Sequence, residues 1–129
     1  REEVSILVVD DVHAMQVQIK ELLLSFGFRK IFLASNGIEA QKISQTQPVH
    51  LWLVDWQMAP CDGIELLKWV RAQGSVKSMP FLMVTAENTK EKVLQAIQSG
   101  VDDYLVKPLT AAQIQNKVYG ALLKKGILT

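Results

Sequence analysis

VSILVVDDVHAMQ, residues Val4–Gln16, is the stretch from which the fold of this chain can be read. A run of aliphatic and β-branched residues ends in two consecutive aspartates, Asp10 and Asp11, and passes directly into apolar residues at helical spacing. An apolar run without polar alternation is typical of a parallel strand buried on both faces. Two carboxylates at the end of such a strand repel each other and resist desolvation, so we expect a positively charged partner beside them.

The composition indicates one globular domain. The chain has 129 residues, and its 14 lysines and arginines nearly balance 13 aspartates and glutamates, for a formal charge of +1. This balance gives no general electrostatic preference for nucleic acid or a membrane surface, and no apolar run in the sequence reaches membrane-spanning length. The single cysteine, Cys61, is typical of a reducing compartment. We expect residues 1–129 to form a single cytoplasmic domain without nucleic-acid contact or membrane insertion.

Short β-rich segments and longer segments with helical spacing alternate along the whole chain. The predicted strands are Ser5–Val9, Lys30–Ala34, His50–Val54, Phe81–Thr85 and Asp103–Val106. The first predicted helix carries an apolar stripe of Val12, Met15, Ile19, Leu22, Leu23 and Phe26 and ends at Gly27. The second runs from about Gly37 to Thr46 after Asn36, and the third is Gly63–Arg71 after Asp62. The fourth lies between Asn88 and Gly100 and buries Val93, Leu94 and Ile97, and the fifth starts near Thr110 and carries Ile114, Val118, Ala121 and Leu122.

This alternation predicts an α/β fold. Parallel strands need a crossover helix between them, which gives a doubly wound, five-stranded parallel sheet with helices on both faces. In such sheets, ligands bind beyond the carboxyl ends of the strands. The carboxyl ends are therefore where functional residues should be sought.

Polar residues follow four of the predicted strands at this edge. Asp10 and Asp11 follow the first, Asp55 the third, Thr85 ends the fourth, and Lys107 follows the fifth. Each alone has an ordinary structural explanation, the acidic pair as a helix cap and the others as a helix entry and a turn. Their convergence on one edge is not expected of independent structural features and indicates a site.

The residue types favour phosphoryl transfer assisted by a divalent cation. Crowded carboxylates suit a hard cation such as Mg²⁺, which is usually held by one or two carboxylates and several waters. An amine and a hydroxyl beside it, here Lys107 and Thr85, can neutralise and hydrogen-bond the phosphoryl oxygens. A carboxylate can itself be the nucleophile, and Asp55 is the best-placed candidate.

Several separated motifs resemble a known family in order and spacing. LVVDD, LVDWQM, DGIELLKWVR, FLMVTAEN and SGVDDYLVKPLT resemble the receiver domain of two-component response regulators, and the second and fourth are similar to single-domain chemotaxis regulators of the CheY type. The resemblance covers nearly the whole chain. It implies the CheY-like, flavodoxin-like (βα)5 fold with strand order 2-1-3-4-5, for which CheY is a standard example, and a phosphorylation-dependent signalling switch, with a possible role in chemotaxis or flagellar control.

The resemblance also implies roles for the residues at the edge of the sheet. Asp55 would be the phosphoacceptor, supplied by a histidine of a sensor kinase or phosphotransfer protein. Asp11 and Asp55 would ligate Mg²⁺, or Mn²⁺ in its place, with Asp10 reaching the ion through water and Gln57 offering its backbone carbonyl. The domain would catalyse its own phosphorylation and dephosphorylation without being a turnover enzyme.

The remaining implied roles concern the phosphoryl group and the output. Lys107, Thr85 and the backbone N–H of Ala86 would bind the phosphoryl oxygens, and the Lys107–Pro108 bond is expected to be cis. Phosphorylation would draw Thr85 inward and allow Tyr104 to turn, which shifts the population of a partner-binding face on the fourth helix, fifth strand and fifth helix. The residues expected on that face are Lys90, Val93, Tyr104 and Lys117.

Some positions depart from the family pattern or bear on its chemistry. Alanine separates Met58 from Pro60, where a proline often follows the methionine directly. Gln57 and Glu87 occupy positions that tune access of the hydrolytic water. Leu109 replaces a frequent phenylalanine, which we expect to change packing only.

Other functions remain open from the residues. A receiver domain cut from a larger regulator with a C-terminal output domain would have the same motifs. A flavin-binding module of the same topology would need a phosphate-binding loop where Asp10 and Asp11 stand. A phosphatase with an aspartyl-phosphate intermediate would need its nucleophile on the first strand and a second aspartate two positions later, which the adjacent Asp10 and Asp11 do not match.

Overall fold

The computed structural model describes residues 2–58, 61–73, 78–86 and 90–128, with Lys90 described by its backbone alone. The strands are β1 (Ser5–Val9), β2 (Lys30–Ala34), β3 (Leu51–Asp55), β4 (Phe81–Thr85) and β5 (Asp103–Val106). The helices are α1 (His13–Ser25), α2 (Gly37–Thr46), α3 (Gly63–Arg71), α4 (Lys90–Gln98) and α5 (Ala111–Lys124). The strands form a five-stranded sheet in the order β2-β1-β3-β4-β5, and every pairing is parallel. The predicted fold is confirmed.

The register of the sheet brings the carboxyl ends of the strands to one level. Val9 pairs with Val54 across β1 and β3, Asp55 with Val84 across β3 and β4, and Thr85 with Val106 across β4 and β5. The third strand ends at Asp55, one residue later than predicted. The polar residues that end or follow these strands therefore lie on a common edge.

Two apolar layers cover the sheet, one on each face. Alternate residues of β1 point into different layers, Leu7 and Val9 into one and Ile6 and Val8 into the other. The first layer includes residues of α2, α3 and α4, and the second includes residues of α1 and α5. A strand covered on both sides has no polar face, which explains the continuous apolar run in the sequence.

Side-chain caps begin three of the helices where the sequence predicts them. The side chains of Asn36, Asp62 and Thr110 each accept a hydrogen bond from the backbone N–H three residues later, at 2.8, 2.8 and 3.1 Å. Gly27 and Gly100 follow α1 and α4 with a φ of 97°, the left-handed conformation that glycine adopts at helix ends. Asn88, which the sequence places before α4, lies outside the described residues.

Three residues of the predicted apolar helix faces are exposed, and the predicted burial of Leu94 and Ile97 was wrong. Val12 is 52% exposed because it precedes α1 at the rim of the sheet, while Gln16 takes the inward position one turn later. Leu94 and Ile97 are 45% and 55% exposed, because α4 packs inward through the small side chain of Ala96. Val93 is partly buried.

A hydrogen-bonded network ties the elements together at the amino end of the sheet. The Arg71 guanidinium, at the end of α3, donates to the Met79 and Gly100 carbonyls at 2.8 and 2.9 Å. It also pairs with the Asp102 carboxylate at 2.8 Å. Asp102 in turn accepts from the Phe81 backbone N–H at 2.7 Å and pairs with Lys125 at 3.3 Å. This network lies at the opposite end of the strands from the acidic residues.

Within the part of the chain that the structure describes, the helices are too short or too polar to cross a membrane.

Candidate functional site

Three carboxylates meet at the carboxyl ends of β1 and β3. Asp10 and Asp11 follow β1, and Asp55 is the last residue of β3, its neighbour in the sheet. Oxygen atoms of the three side chains lie within 4.8 Å of one another. Asp10 and Asp55 are 1% and 6% exposed, whereas Asp11 is exposed. The predicted convergence of these carboxylates is confirmed.

Asp10 is held in place through both of its carboxylate oxygens. Its Oδ1 accepts a hydrogen bond from the Val12 backbone N–H at 2.8 Å, and its Oδ2 accepts one from Lys107 Nζ at 3.3 Å. The first contact forms a turn in which an aspartate side chain bonds the backbone two residues on. The loop that carries Asp10 and Asp11 is therefore shaped by Asp10 itself.

Lys107 is the positive partner that the sequence leads us to expect. Its Nζ lies 3.3 Å from Asp10 and 3.5 Å from Asp55. Its backbone N–H donates to the Thr85 carbonyl at 2.8 Å, which anchors the loop after β5 to the end of β4. The Lys107–Pro108 bond is cis, as predicted.

The environment of Asp55 raises its pKa from 3.8 to about 6. Burial is the largest cause, because it disfavours the charged form, and the nearby Asp10 adds to it. The Lys107 ammonium opposes the rise, and Asp11 contributes further to it. Asp55 is thus ionised above about pH 6 and carries a charge that is poorly compensated by the protein.

Thr85 and Ala86 lie on the same edge of the sheet as the carboxylates. Thr85 ends β4 and is buried, while Ala86 is exposed. Tyr104 lies further back on the edge strand β5, where it pairs with Met83 and is half-buried. The Lys117 ammonium lies 5.4 Å from the centroid of the Tyr104 ring. Tyr104 is therefore part of the α4-β5-α5 face and not of the acidic site.

The remaining predicted positions on that face are only partly described. Val93 is half-buried on α4, and Lys117 pairs with Asp103 at 2.9 Å. The side chain of Lys90, and the departures predicted at Ala59, Pro60 and Glu87, lie outside the described residues. Leu109 is 8% exposed and packs in the core.

An open cleft of about 490 Å³ adjoins the acidic cluster. Its walls are formed by Asp11, Trp56, Gln57, Met58, Asp62 and Lys92. Gly63, the first residue of α3, closes tightly on the strand below, with its N–H donating to the Trp56 carbonyl at 2.9 Å. A Cβ at Gly63 would lie 2.9 Å from Trp56 Cα and 3.0 Å from the Asp55 carbonyl oxygen. Glycine is required here by this close approach.

Sequence reasoning missed two residues of this region. Gln16 on α1 is 4% exposed, and its Nε2 donates to the Asp10 and Ala34 carbonyls at 2.7 and 3.0 Å and to Ser35 Oγ at 3.3 Å. The signal for Gln16 was a polar residue at an inward position of an apolar helix stripe. Lys92 lines the cleft with its Nζ 5.0 Å from the centroid of the Trp56 ring, and nothing in the spacing of the sequence indicates that contact.

The donor set of the cluster fits a hard divalent cation. Three carboxylates within 4.8 Å of one another supply oxygen ligands, and the exposed Asp11 leaves the site open toward solvent. Oxygen ligands and room for several waters are what Mg²⁺ prefers. The residues present are therefore suited to this ion.

A family model for the response regulator receiver domain matches residues 6–119. The chain belongs to this family. Receiver domains are the phosphorylation-dependent switches of two-component signalling, and this chain is such a signalling domain. Membership disfavours the flavin-binding alternative.

Curated relatives of this receiver domain include two chemotaxis proteins. The chain is 39% identical over 113 residues to chemotaxis protein CheY-3 of Vibrio cholerae serotype O1, which covers 88% of this chain and 87% of the relative. It is also 39% identical over 113 residues to chemotaxis protein CheY of Pseudomonas aeruginosa, covering 88% of this chain and 91% of that one.

Solved structures agree with the fold of this receiver domain. Chemotaxis protein CheY4 of Vibrio cholerae matches with a TM-score of 0.86 and 28% identity, over 92% of this chain and 98% of that one. The receiver domain of the sensor histidine kinase PA1611 from Pseudomonas aeruginosa matches with a TM-score of 0.83 and 29% identity, over 92% of this chain and 96% of that one. That structure has a magnesium ion coordinated in its active-site cleft.

Proposed function

We propose that Asp55 accepts a phosphoryl group, with Mg²⁺ bound beside it, from a phosphohistidine of a sensor histidine kinase or phosphotransfer protein. The observation that carries this proposal is the meeting of three carboxylates with the Lys107 ammonium at one edge of the sheet. Among the three, Asp55 is the best nucleophile, because Asp10 is engaged through both oxygens and Asp11 faces solvent.

The side chains would divide the work of the transfer. A carboxylate oxygen of Asp55 forms the new bond to phosphorus while the bond to the leaving group breaks. Lys107, already 3.5 Å from Asp55, neutralises charge on the phosphoryl oxygens, and the Thr85 hydroxyl and Ala86 N–H donate hydrogen bonds to them. The same residues support autodephosphorylation by water, so the domain acts on itself and not on a stream of substrates.

Asp11, Asp55 and the Gln57 backbone carbonyl would hold the cation, and Asp10 would reach it through water. The ion supplies charge neutralisation for the transferring group. Mn²⁺, which accepts the same oxygen ligands, could replace Mg²⁺.

The output would be carried by the α4-β5-α5 face. Once Asp55 is phosphorylated, Thr85 moves toward the phosphoryl group and Tyr104 turns into the space beside it, which favours one arrangement of this face. The exposed Leu94 and Ile97 give the face an apolar surface for a downstream protein, beside Lys90, Val93 and Lys117.

The relatives support a role in chemotaxis. Because two curated relatives at 39% identity are chemotaxis proteins, we place this domain in the cytoplasm, in chemotaxis or flagellar control, acting as a single domain over residues 1–129. A receiver unit of a larger regulator with an output domain is the alternative. The same fold covers 51% of the chain in the solved structure of a probable two-component system response regulator/GGDEF domain protein.

The test is the mass of the protein after incubation with acetyl phosphate or phosphoramidate and Mg²⁺. We expect a gain of one phosphoryl group, abolished by EDTA and by Asp55→Asn. Retention of the full gain in Asp55→Asn, or no gain in folded protein that binds Mg²⁺, would overturn the assignment. Steady release of phosphate from diverse phosphate esters would instead indicate the phosphatase.

A further inference from the structure

Lys92 occupies a specific place at the mouth of the acidic site. It lies in the first turn of α4, is half-buried, and lines the cleft that adjoins the acidic cluster at Asp11. Its Nζ is 5.0 Å from the centroid of the Trp56 ring, within the range of a cation–π interaction. Trp56 directly follows Asp55 and is 6% exposed, so this contact places the lysine over the residue beside the proposed phosphoacceptor.

The charges of the cleft explain what a cation at this position can do. The Asp11 and Asp62 carboxylates line the same cleft, and Asp62 is fixed there as the cap of α3. Even with a cation bound by Asp11 and Asp55, an anionic phosphoryl donor therefore approaches past the negative charge of Asp62. Lys107 lies against Asp10 and Asp55, whereas Lys92 lies in the wall of the cleft that Asp11 also lines. The two ammonium groups thus lie at different parts of the site, and a donor that entered through this cleft would pass Lys92.

We propose that Lys92 contacts the leaving group of small acyl phosphates and makes the domain selective for them over phosphoramidate. This inference rests on the proposed function of Asp55. The cleft, at about 490 Å³, has room for a donor of this size together with water.

The selectivity follows from the charge of the two leaving groups. With acetyl phosphate, an oxygen of Asp55 bonds to phosphorus, the bond from phosphorus to the bridging oxygen breaks, and its electron pair leaves with acetate. Negative charge develops on the acetate oxygens, which a nearby ammonium stabilises. With phosphoramidate, the phosphorus–nitrogen bond breaks and the already protonated nitrogen leaves as neutral ammonia. A cation near that nitrogen gives no comparable stabilisation.

The test compares the two donors in matched variants. Lys92→Met keeps an alkyl side chain over Trp56 and removes the charge, and Lys92→Arg keeps the charge. Lys124→Met makes the same charge change on an exposed residue in the last turn of α5, at the opposite end of the sheet. Initial rates of phosphoryl gain are measured by mass, with saturating Mg²⁺ and subsaturating donor at low ionic strength, because the substitutions themselves alter Trp56 fluorescence.

We expect Lys92→Met to lower the rate with acetyl phosphate about fivefold, the effect of a partly exposed charge pair, and to change the rate with phosphoramidate by less than about twofold. Lys92→Arg should restore the preference, Lys124→Met should match the native chain, and added salt should narrow the difference. If the native chain takes up no phosphoryl group on Asp55, the proposed function fails. If it does, but Lys92→Met leaves both rates unchanged or lowers both equally, the proposed role of Lys92 alone is overturned.

Discussion

At the scale of single residues, the position of Asp55 has a cost in stability. Its carboxylate is buried among other carboxylates, which raises its pKa to about 6. The folded protein therefore binds this proton more tightly than the unfolded chain does, and stability falls as the pH rises from 3.8 toward about 6.

The charge of Asp55 can be removed to test this cost. The shift of about two pKa units corresponds to about 3 kcal/mol at about 1.4 kcal/mol per unit, and partial screening by solvent reduces it. In EDTA at pH 7.5, we therefore expect Asp55→Asn to raise the free energy of unfolding by about 2 kcal/mol. The gain should shrink toward zero near pH 4, where the native Asp55 is protonated in the folded state. Urea denaturation of both proteins across this pH range measures it, and a gain that does not vary with pH would contradict the explanation.

Gln16 is the residue whose amide supports the acidic loop from behind. Replacing it by methionine keeps its length but removes the donor to the Asp10 carbonyl. We expect a loss of about 1–3 kcal/mol of stability from the unsatisfied carbonyl, and about tenfold weaker Mg²⁺ binding because the loop is less well positioned. Urea denaturation and a Trp56 fluorescence titration measure the two effects.

Gln18→Met, an exposed position on the same helix, is the control and should change neither quantity. Unchanged Mg²⁺ affinity in Gln16→Met, with stability reduced, would mean that Gln16 only holds the fold.

At the scale of elements, the contact of α3 with β3 links the fold to the site. Gly63→Ala would bring a methyl group against the Asp55 and Trp56 backbone, at 3.0 and 2.9 Å. We expect about 1–3 kcal/mol of destabilisation from overpacking and slower phosphorylation, because the displaced atoms belong to the proposed phosphoacceptor strand. Urea denaturation and the mass assay measure these effects.

Gly120→Ala is the matched control. Gly120 lies within α5, and a Cβ there meets no atom of the described residues within 4 Å. This substitution should stabilise the protein by about 0.5–1 kcal/mol, because alanine favours the helix more than glycine does. Equal effects of the two substitutions would show that the close approach at Gly63 is not important.

The α4 helix shows how far apolar spacing can predict packing. Leu94 and Ile97 are spaced as a core face would be, yet they are exposed, and Ala96 is 1% exposed. Helical periodicity identifies an apolar face but does not say whether the domain's own sheet or another protein covers it. The β1 strand had no such ambiguity, because a run apolar on both faces can only be buried between two layers.

This interpretation of α4 is tested by polar substitutions. Leu94→Gln and Ile97→Gln should change the free energy of unfolding by less than about 0.5 kcal/mol, as expected for surface sites. Ala96→Gln should destabilise the domain by about 2 kcal/mol or more through overpacking and burial of an amide. Thermal or urea denaturation of the three variants decides it, and large losses at Leu94 and Ile97 would contradict the exposed placement.

At the scale of the whole molecule, parallel topology made the fold and most of the site predictable. Because the five strands run in the same direction, Thr85 at the end of β4 must lie on the same edge of the sheet as the residues that follow Val9 and Val106. What the sequence could not supply were contacts between elements far apart in the chain. Gln16 beneath Asp10 and Lys92 over Trp56 depend on how α1 and α4 pack, which spacing alone does not fix.

Binding of a cation at the acidic edge should stabilise the entire domain. A ligand that binds only the folded state at 100 times its Kd adds about 2.7 kcal/mol. We expect Mg²⁺ to raise the unfolding midpoint. The effect should be smaller below about pH 6, because a proton on Asp55 competes with the ion for the carboxylate. Denaturation with Mg²⁺ or with NaCl of equal ionic strength measures this, and equal effects of the two salts would contradict a specific site.

Among the described residues, the Arg71 network holds the amino end of the sheet together without contacts to the acidic cluster. It joins α3, β4, β5 and the end of α5 through bonds that involve none of the three clustered carboxylates. We therefore expect substitutions in the loops at the carboxyl edge to change the proposed phosphorylation without loosening this network. The strands thus separate the candidate site, at one end of the sheet, from the contacts that brace the domain at the other end.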